Sequence, residues 1–310
     1  MQYFLTLALT CLVFGTSLAQ KKVNTFQVVD SATLKPVAAV SIAIVRAKLA
    51  ISTERDGIFN IPGDLTKMRD TVIISAQGYN PYKILLQKMH GMDSLKLIKY
   101  RRPKTPVVFK DGKELELNKF KKSEVVNYAG IHTETAMFDY LQLAQQFYLP
   151  KSRALLKRVN LSRLAFNLSY EAQDDAVEME RITFRIRVYE ADTIKGGPGN
   201  ELSDEVIEVK NKESQSIGID LSDYQILIPG KSFFIAIEWM RDFYNQGWTM
   251  VPQERAASKQ LVNFRPAIGI SPVKGTKLNM WALTIKRQWK PYTYFSPDYT
   301  DLAMTAILLQ

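Results

Sequence analysis

Cysteine and histidine are nearly missing from this chain of 310 residues: Cys11 stands alone, and His90 and His132 are the two histidines. That scarcity removes most zinc, iron–sulfur and cysteine-nucleophile chemistries, which need several such ligands or a placed thiol. No segment after the N-terminus reaches the roughly 18 consecutive apolar residues of a membrane-spanning helix. Glycine (15) and proline (13) occur at ordinary frequency, which excludes a collagen-like or low-complexity chain. Hydrophobic residues make up 46% and charged residues 23%, so the chain has the composition of folded domains and not of a disordered polymer. The length suggests about two domains. Lys and Arg number 41 against 31 Asp and Glu, a formal charge of +10.

Phe4 to Phe14 is an apolar run without charge, followed by the small residues Ser17 and Ala19 at −3 and −1 of a cut before Gln20. This is the pattern of a secretory signal over residues 1–19, too short for a spanning helix before Lys21 and Lys22. Cys11 lies inside the run and not at its end, which argues against a lipid-anchored N-terminus. After cleavage no cysteine remains, so an exported chain must be stable through core size alone. The expected location is the periplasm, the outer-membrane surface or the medium.

Residues 23–98 contain seven short runs rich in Val, Ile, Thr and aromatics, at 25–29, 40–46, 49–53, 58–61, 71–75, 82–87 and 94–98. Turn signals separate them, the signature of an antiparallel β-sandwich. Val40, Ile42 and Ile44 alternate with Ser41 and Ala43, as on a strand with one buried face. Arg55-Asp56-Gly57 reads as a hairpin turn. The string from Val29 through Asp30, Lys35 and Pro36 to Val37 resembles the opening of the carboxypeptidase-regulatory-like domain. Ser52 to Phe59 resembles its central hairpin, and Ile73 to Tyr79, ending in Gly78-Tyr79, its late strand and corner. The resemblance implies a transthyretin-like β-sandwich of the kind appended to exported Bacteroidetes proteins. It implies no peptidase activity, because this domain only accompanies the catalytic zinc domain.

Residues 99–157 read as a linker and a helix. Arg101-Arg102-Pro103-Lys104 and Pro106 suit a linker, and Asp111-Gly112 a hairpin between 107–109 and 114–117. Met137, Tyr140, Leu141, Ala144 and Tyr148 follow helical spacing after Thr133, which predicts an amphipathic helix over 133–148 ended by Pro150. Its polar side would carry Asp139, Gln142, Gln145 and Gln146. Residues 158–310 hold strand-like runs at 159–171, 181–190, 204–210, 215–221, 232–240, 266–271, 280–286 and 302–309, without an intervening helix. They predict a jelly-roll-like sandwich. Lys195 to Asn200, rich in glycine, reads as a loop. No internal repeat relates the two sandwiches.

Catalytic signatures are missing. A zinc peptidase site needs His and Glu three apart and a second His downstream. Here His132 and Glu134 are two apart and the other histidine lies upstream; His90 with Asp93 is equally incomplete. Gly269-Ile270-Ser271-Pro272 fails as a nucleophile elbow, and Gly196-Gly197-Pro198-Gly199 fails as a phosphate loop. A glycosidase needs two carboxylates across a cleft, and no pair stands out. The expectation is a protein that is not an enzyme and uses no metal or cofactor.

Binding candidates remain. Trp289, Tyr292, Tyr294, Phe295 and Tyr299 cluster around Pro291 and Pro297, where rings exposed on a loop could stack on a sugar or a protein partner; the alternative is that they cover the open end of the sandwich. Trp239, Phe243, Tyr244 and Trp248 form a similar group. Asp192, Glu201, Asp204 and Glu205 surround the glycine-rich loop but match no calcium motif. Basic residues group at Lys21-Lys22, Arg101-Arg102-Lys104, Lys119-Lys121-Lys122, Lys151-Arg153-Lys157-Arg158 and Lys286-Arg287-Lys290. After export, anionic lipid headgroups or acidic polysaccharide replace nucleic acid as the counter-surface; the plainer alternative is solvated lysine on strand edges. The expected function is an exported, non-catalytic binding protein of the cell envelope, with an envelope protein or polysaccharide as partner, no nucleic acid, and peripheral contact with an anionic membrane surface. A carbohydrate-binding module using 289–299 is the alternative, and an unrecognised hydrolase a further one. Oligomeric state is not legible.

Overall fold

The computed structural model describes residues 23–100, 112–165, 181–212, 214–253, 256–273 and 275–310. The expected signal segment 1–19, Lys21-Lys22, the Arg101-Arg102-Lys104 patch, Asp111 with the run 107–109, and the end of the expected strand 159–171 lie outside the described residues. The protein is mainly β. Among the described residues no helix is long and apolar enough to cross a membrane.

The first unit contains β1 (Val23–Asp30), β2 (Ser41–Ile44), β3 (Leu49–Ser52), β4 (Ile58–Pro62), β5 (Thr71–Ser75), β6 (Tyr82–Leu85) and β7 (Ser94–Leu97). They form two sheets, ordered β4-β1-β7 and β3-β2-β5-β6. Each strand falls on one of the seven apolar runs. β1 and β4 pair antiparallel, while β1 and β7 are parallel. Inward residues alternate along β4, where Phe59 and Ile61 are buried while Ile58 and Asn60 are exposed. The core joins Phe26, Val28 and Leu97 of one sheet to Ile42, Ile74 and Val72 of the other. The Arg55–Gly57 turn differs from its reading: it links β3 to β4, which belong to different sheets, so it is a crossover and not a hairpin. Gly57 is required there, with φ +67° and an added Cβ 2.7 Å from the Val28 carbonyl.

The second unit begins earlier than expected. It comprises β8 (Glu114–Leu117), β9 (Tyr128–His132), β10 (Tyr140–Tyr148), β11 (Ala154–Leu164), β12 (Thr183–Ala191), β13 (Pro198–Glu201), β14 (Ile207–Lys210) and β15 (Ser216–Asp220). It continues with β16 (Ile226–Ile228), β17 (Ser232–Trp239), β18 (Gln246–Gln253), β19 (Ala256–Gly269), β20 (Met280–Thr284), β21 (Trp289–Pro291) and β22 (Met304–Leu309). One sheet runs β13-β12-β17-β10-β20-β21, with β14 also on β12. The other runs β18-β19-β11-β22-β8, with β15 and β16 on β11 and β9 on β19. Between them lies one core that includes Phe184, Ile186, Phe233, Ile235, Leu156, Leu161 and Met304. The segment read as linker and helix therefore contributes β8, β9 and β10 to this sandwich.

The helix over 133–148 is not formed. Residues 140–148 are β10, paired with β17 on one side and β20 on the other. The reason lies in the glutamines. Gln142, Gln145 and Gln146, which a helix would present to solvent, are all buried and hydrogen-bonded. Met137, assigned to the apolar face, is instead 52% exposed. Glutamines buried on both faces of the strand break the period of two, and their mixture with apolar residues imitates a period of 3.6. The glycine-rich loop is also corrected at its end, because β13 starts at Pro198 and pairs with β12.

The two units are packed together. Ser41 and Ala43, the small residues on the outer face of β2, are buried. Ala43 and Ala50 meet Leu141, Leu283 and Ile285 of the second unit in an apolar contact. Their small side chains let the two sheets approach.

Candidate functional site

The outer face of the β12–β17–β10–β20 layer is polar and yet buried. Along β12, Phe184, Ile186 and Val188 enter the core, so Arg185, Arg187 and Tyr189 take the other face. On β17 the outward residues are Phe234, Ala236 and Glu238, and register sets Arg185 opposite Glu238 and Arg187 opposite Ala236. On β10, Gln142 is also opposite Glu238.

These side chains form one network. Arg187 donates to both oxygens of Glu201, at 2.6 Å for Nη2 to Oε2, and Nη1 donates to Glu238 Oε2 at 2.9 Å. Gln142 Nε2 donates to Glu238 Oε1 at 3.3 Å, and Tyr189 Oη donates to Gln142 Oε1 at 2.8 Å. Arg185 Nη1 lies 3.8 Å from Glu238 and donates to the Ala39 carbonyl of the first unit. From the β20–β21 turn, Arg287 Nη1 donates to Ser75 Oγ, also of the first unit, at 2.6 Å. At the far end of the junction the Arg241 backbone N–H donates to Ser52 Oγ at 2.9 Å. Burial pushes the Glu238 carboxyl up, but the Arg187 and Arg185 charges outweigh it and hold the group below its ordinary value. Burial opposes the charge on Arg187 as well, and Glu201 outweighs it, so this guanidinium is held well above its ordinary value.

Beside the network lies a cavity of about 260 Å³ between the units. Tyr79 lines it from the first unit, and Arg187, Tyr189, Glu201, Arg287 and Trp289 from the second. The Gly78-Tyr79 corner closes one end. Gly78 has φ +79°, and a Cβ there would lie 2.4 Å from the Asp204 carbonyl, so only glycine allows this approach. Tyr79 Oη donates to Asp30 Oδ2 at 3.1 Å; burial and that carboxylate push its phenol up to about 12.

The five aromatic candidates do not share one face. Trp289 lines the cavity, with its ring edge-on to Tyr189 at 5.5 Å. Tyr292 is 5% exposed and belongs to the core, against Tyr140 at 5.4 Å. Tyr294 is 47% exposed and packs on Phe138 at 4.5 Å, while Phe295 and Tyr299 are half-buried against the core. The second aromatic group is also divided. Trp239 is a core residue whose Nε1 donates to the Pro266 carbonyl at 2.7 Å, whereas Phe243 is 79% exposed. Of the acidic group, Glu201 is bound by Arg187, Glu201 and Asp204 line the cavity, and Asp192 accepts the N–H groups of Ile194 and Lys195. His132 is half-buried against Phe138, and burial lowers its pKa; His90 is exposed. Among the described residues no three His, Cys, Asp or Glu side chains gather as a metal site.

Arg187, Glu238, Gln142, Tyr79 and Arg287 belong to no binding motif in the sequence, and the fold alone brings them together. One signal was present: Glu238 is the single charge in the apolar strand from Phe233 to Trp239, and the arginines of β12 alternate across from it.

No family model matches the chain, and no curated protein matches it. Among solved structures, the cysteine protease and lectin-like domains of Cwp84, a surface layer associated protein of Clostridium difficile, align at 10% identity and TM-score 0.35, over 88% of this chain and 59% of that one. This chain thus spans about three-fifths of that relative's length. A "putative carbohydrate binding protein" from Bacteroides uniformis aligns at 10% identity and TM-score 0.19, over 81% of this chain and 99% of that one. The infectious bursal disease virus Gt strain structure aligns at 6% identity and TM-score 0.23, over 93% and 59%. Overlaps this weak carry no argument about ligand or reaction.

Proposed function

We propose that this chain is an exported, non-catalytic binding protein of the cell envelope, in which a carboxypeptidase-regulatory-like module is docked on a larger β-sandwich and the cavity between them holds the ligand. The signal-like run at Phe4 to Phe14 supports export, and the motifs around Asp30, Gly57 and Gly78 support the module. One observation carries the binding site: Tyr79 from one unit and Arg187, Glu201, Arg287 and Trp289 from the other converge on a single cavity. Arg187 and Glu201 hold each other, Asp30 holds Tyr79, Ser75 holds Arg287 and the Tyr189 ring abuts Trp289 before any ligand arrives, which lowers the ordering cost of binding.

A polysaccharide partner is favoured over a protein loop by size and by Trp289. A cavity of about 260 Å³ is small, of the scale of one or two sugar units, and an indole beside polar groups suits a pyranose face. The test is a glycan array probed with the chain lacking residues 1–19, and with its Trp289→Ala variant. Binding to a defined glycan class, lost in the variant while its melting temperature stays within a few degrees, is expected. No glycan bound, or binding indifferent to Trp289→Ala, sinks the cavity as the glycan seat.

A further inference from the structure

One cation that lines the same cavity makes no direct ion pair among the described residues. Two guanidiniums, Arg187 and Arg287, line the cavity together with two carboxylates, Glu201 and Asp204. Arg187 is already engaged: it grips Glu201 with two bonds and Glu238, on the adjoining buried face, with one. Asp204 also lines the cavity and is itself engaged. Among the described residues, Arg287 makes no ion pair, and its one side-chain hydrogen bond goes to the neutral hydroxyl of Ser75. A guanidinium has five donors, so most of its fork is left for the cavity that it lines. Burial first, and the Arg187 charge with it, pull the Arg287 pKa down, while Tyr189, Glu238 and Glu201 act to hold it up.

The backbone at this point is unusual in the same sense. Arg287 has φ +56°, a left-handed conformation that costs a β-carbon residue about 1 kcal/mol or more and that glycine or asparagine normally occupies. The turn is closed around it by Arg287 N–H to the Thr284 carbonyl at 2.8 Å and by Gln288 N–H to Thr284 Oγ1 at 3.2 Å. The arginine thus stands where its side chain reaches across the junction, two residues before the indole of Trp289. The net charge of +10 adds long-range attraction for an acidic polymer.

We infer that the cavity recognises a carboxylated sugar, a uronic-acid unit within an acidic glycan, with the carboxylate on the Arg287 fork and the pyranose ring against Trp289. This rests on the binding role proposed for the cavity and names its ligand class. Asn200, Glu201 and Tyr79 are the neighbouring groups for ring hydroxyls.

Calorimetric titration of the full chain lacking residues 1–19 tests it, with trigalacturonate and with the same trimer after reduction of its carboxyl groups. Trigalacturonate is expected to bind at least ~10-fold tighter than the reduced trimer and to weaken with added salt. Arg287→Gln should abolish that preference and Arg287→Lys should keep part of it, since lysine retains charge but not the fork. Equal binding of both trimers, unchanged by Arg287→Gln, overturns the acidic assignment and leaves a neutral-glycan cavity standing. Binding of neither trimer, with glycans absent on the array as well, removes the underlying binding role. Equal capture of a short peptide through its terminal carboxylate overturns the sugar assignment. The comparison of the two trimers needs no variant, so it decides even if Arg287→Gln fails to fold.

Discussion

Glu238→Gln is the substitution that examines the buried face most sharply. The glutamine keeps the shape of the side chain and removes one unit of charge. It leaves Arg187, 2.9 Å from Oε2, and Arg185, 3.8 Å away, with a weaker partner in a site where both guanidiniums are almost wholly buried. It can also turn an amide N–H toward a group that only donates. Removing one member of a buried ion pair costs about 3–5 kcal/mol, because the remaining charge stays desolvated. At roughly 2–4 °C per kcal/mol for a unit of this size, the melting temperature should fall by about 6–20 °C. Calorimetry and urea unfolding measure it. A cycle with Arg187→Met separates charge loss from packing loss: the two substitutions together should cost at least ~2 kcal/mol less than their sum. A loss below ~1 kcal/mol, or additivity within ~0.5 kcal/mol, would show that the network contributes nothing as a charged unit.

Gly78→Ala should destabilise the junction by more than strain alone, since its Cβ meets the Asp204 carbonyl, whereas Gly91→Ala, at φ +78° with nothing within 4 Å, reports the strain by itself. Urea unfolding of both should show Gly78→Ala worse by about 1 kcal/mol or more; equal losses would mean that the corner does not abut the second unit. The acid limb of stability should depend on Asp30. Its carboxyl is held below its ordinary value of 3.8 by the Thr33 N–H first, and by Ala32 N–H and Tyr79 Oη against a desolvation that raises it. A depressed carboxyl stabilises the fold above its unfolded pKa, and that contribution is lost as pH falls through the folded value. Thermal melts from pH 5 down to about pH 2 should therefore be less steep in Asp30→Asn than in the parent, and identical slopes would contradict this.

The strands of the first unit were legible because each is short, β-branched and bounded by turn residues. Val40, Ile42 and Ile44 do face the core. Their partners Ser41 and Ala43 carried a second message, burial against another sheet, that alternation alone does not convey. In the second unit β12 and β17 were visible through alternation, while β10 was hidden because its buried glutamines and apolar residues fall at helical spacing. Trp289 was legible as a binding candidate from its residue type. Its separation from Tyr292, one facing the cavity and the other the core, follows from a strand edge passing between two environments. Arg287 appeared only as one member of a basic run, and its role depends on Ser75, 212 positions away in sequence.

The most direct measurement is a crystal structure of the chain grown with trigalacturonate. A uronate ring is expected between Tyr79 and Trp289, its carboxylate within hydrogen-bond distance of Arg287. Sugar bound at the exposed Tyr294 or on Phe243, with the cavity holding only water, would contradict the assignment of the cavity as the ligand seat.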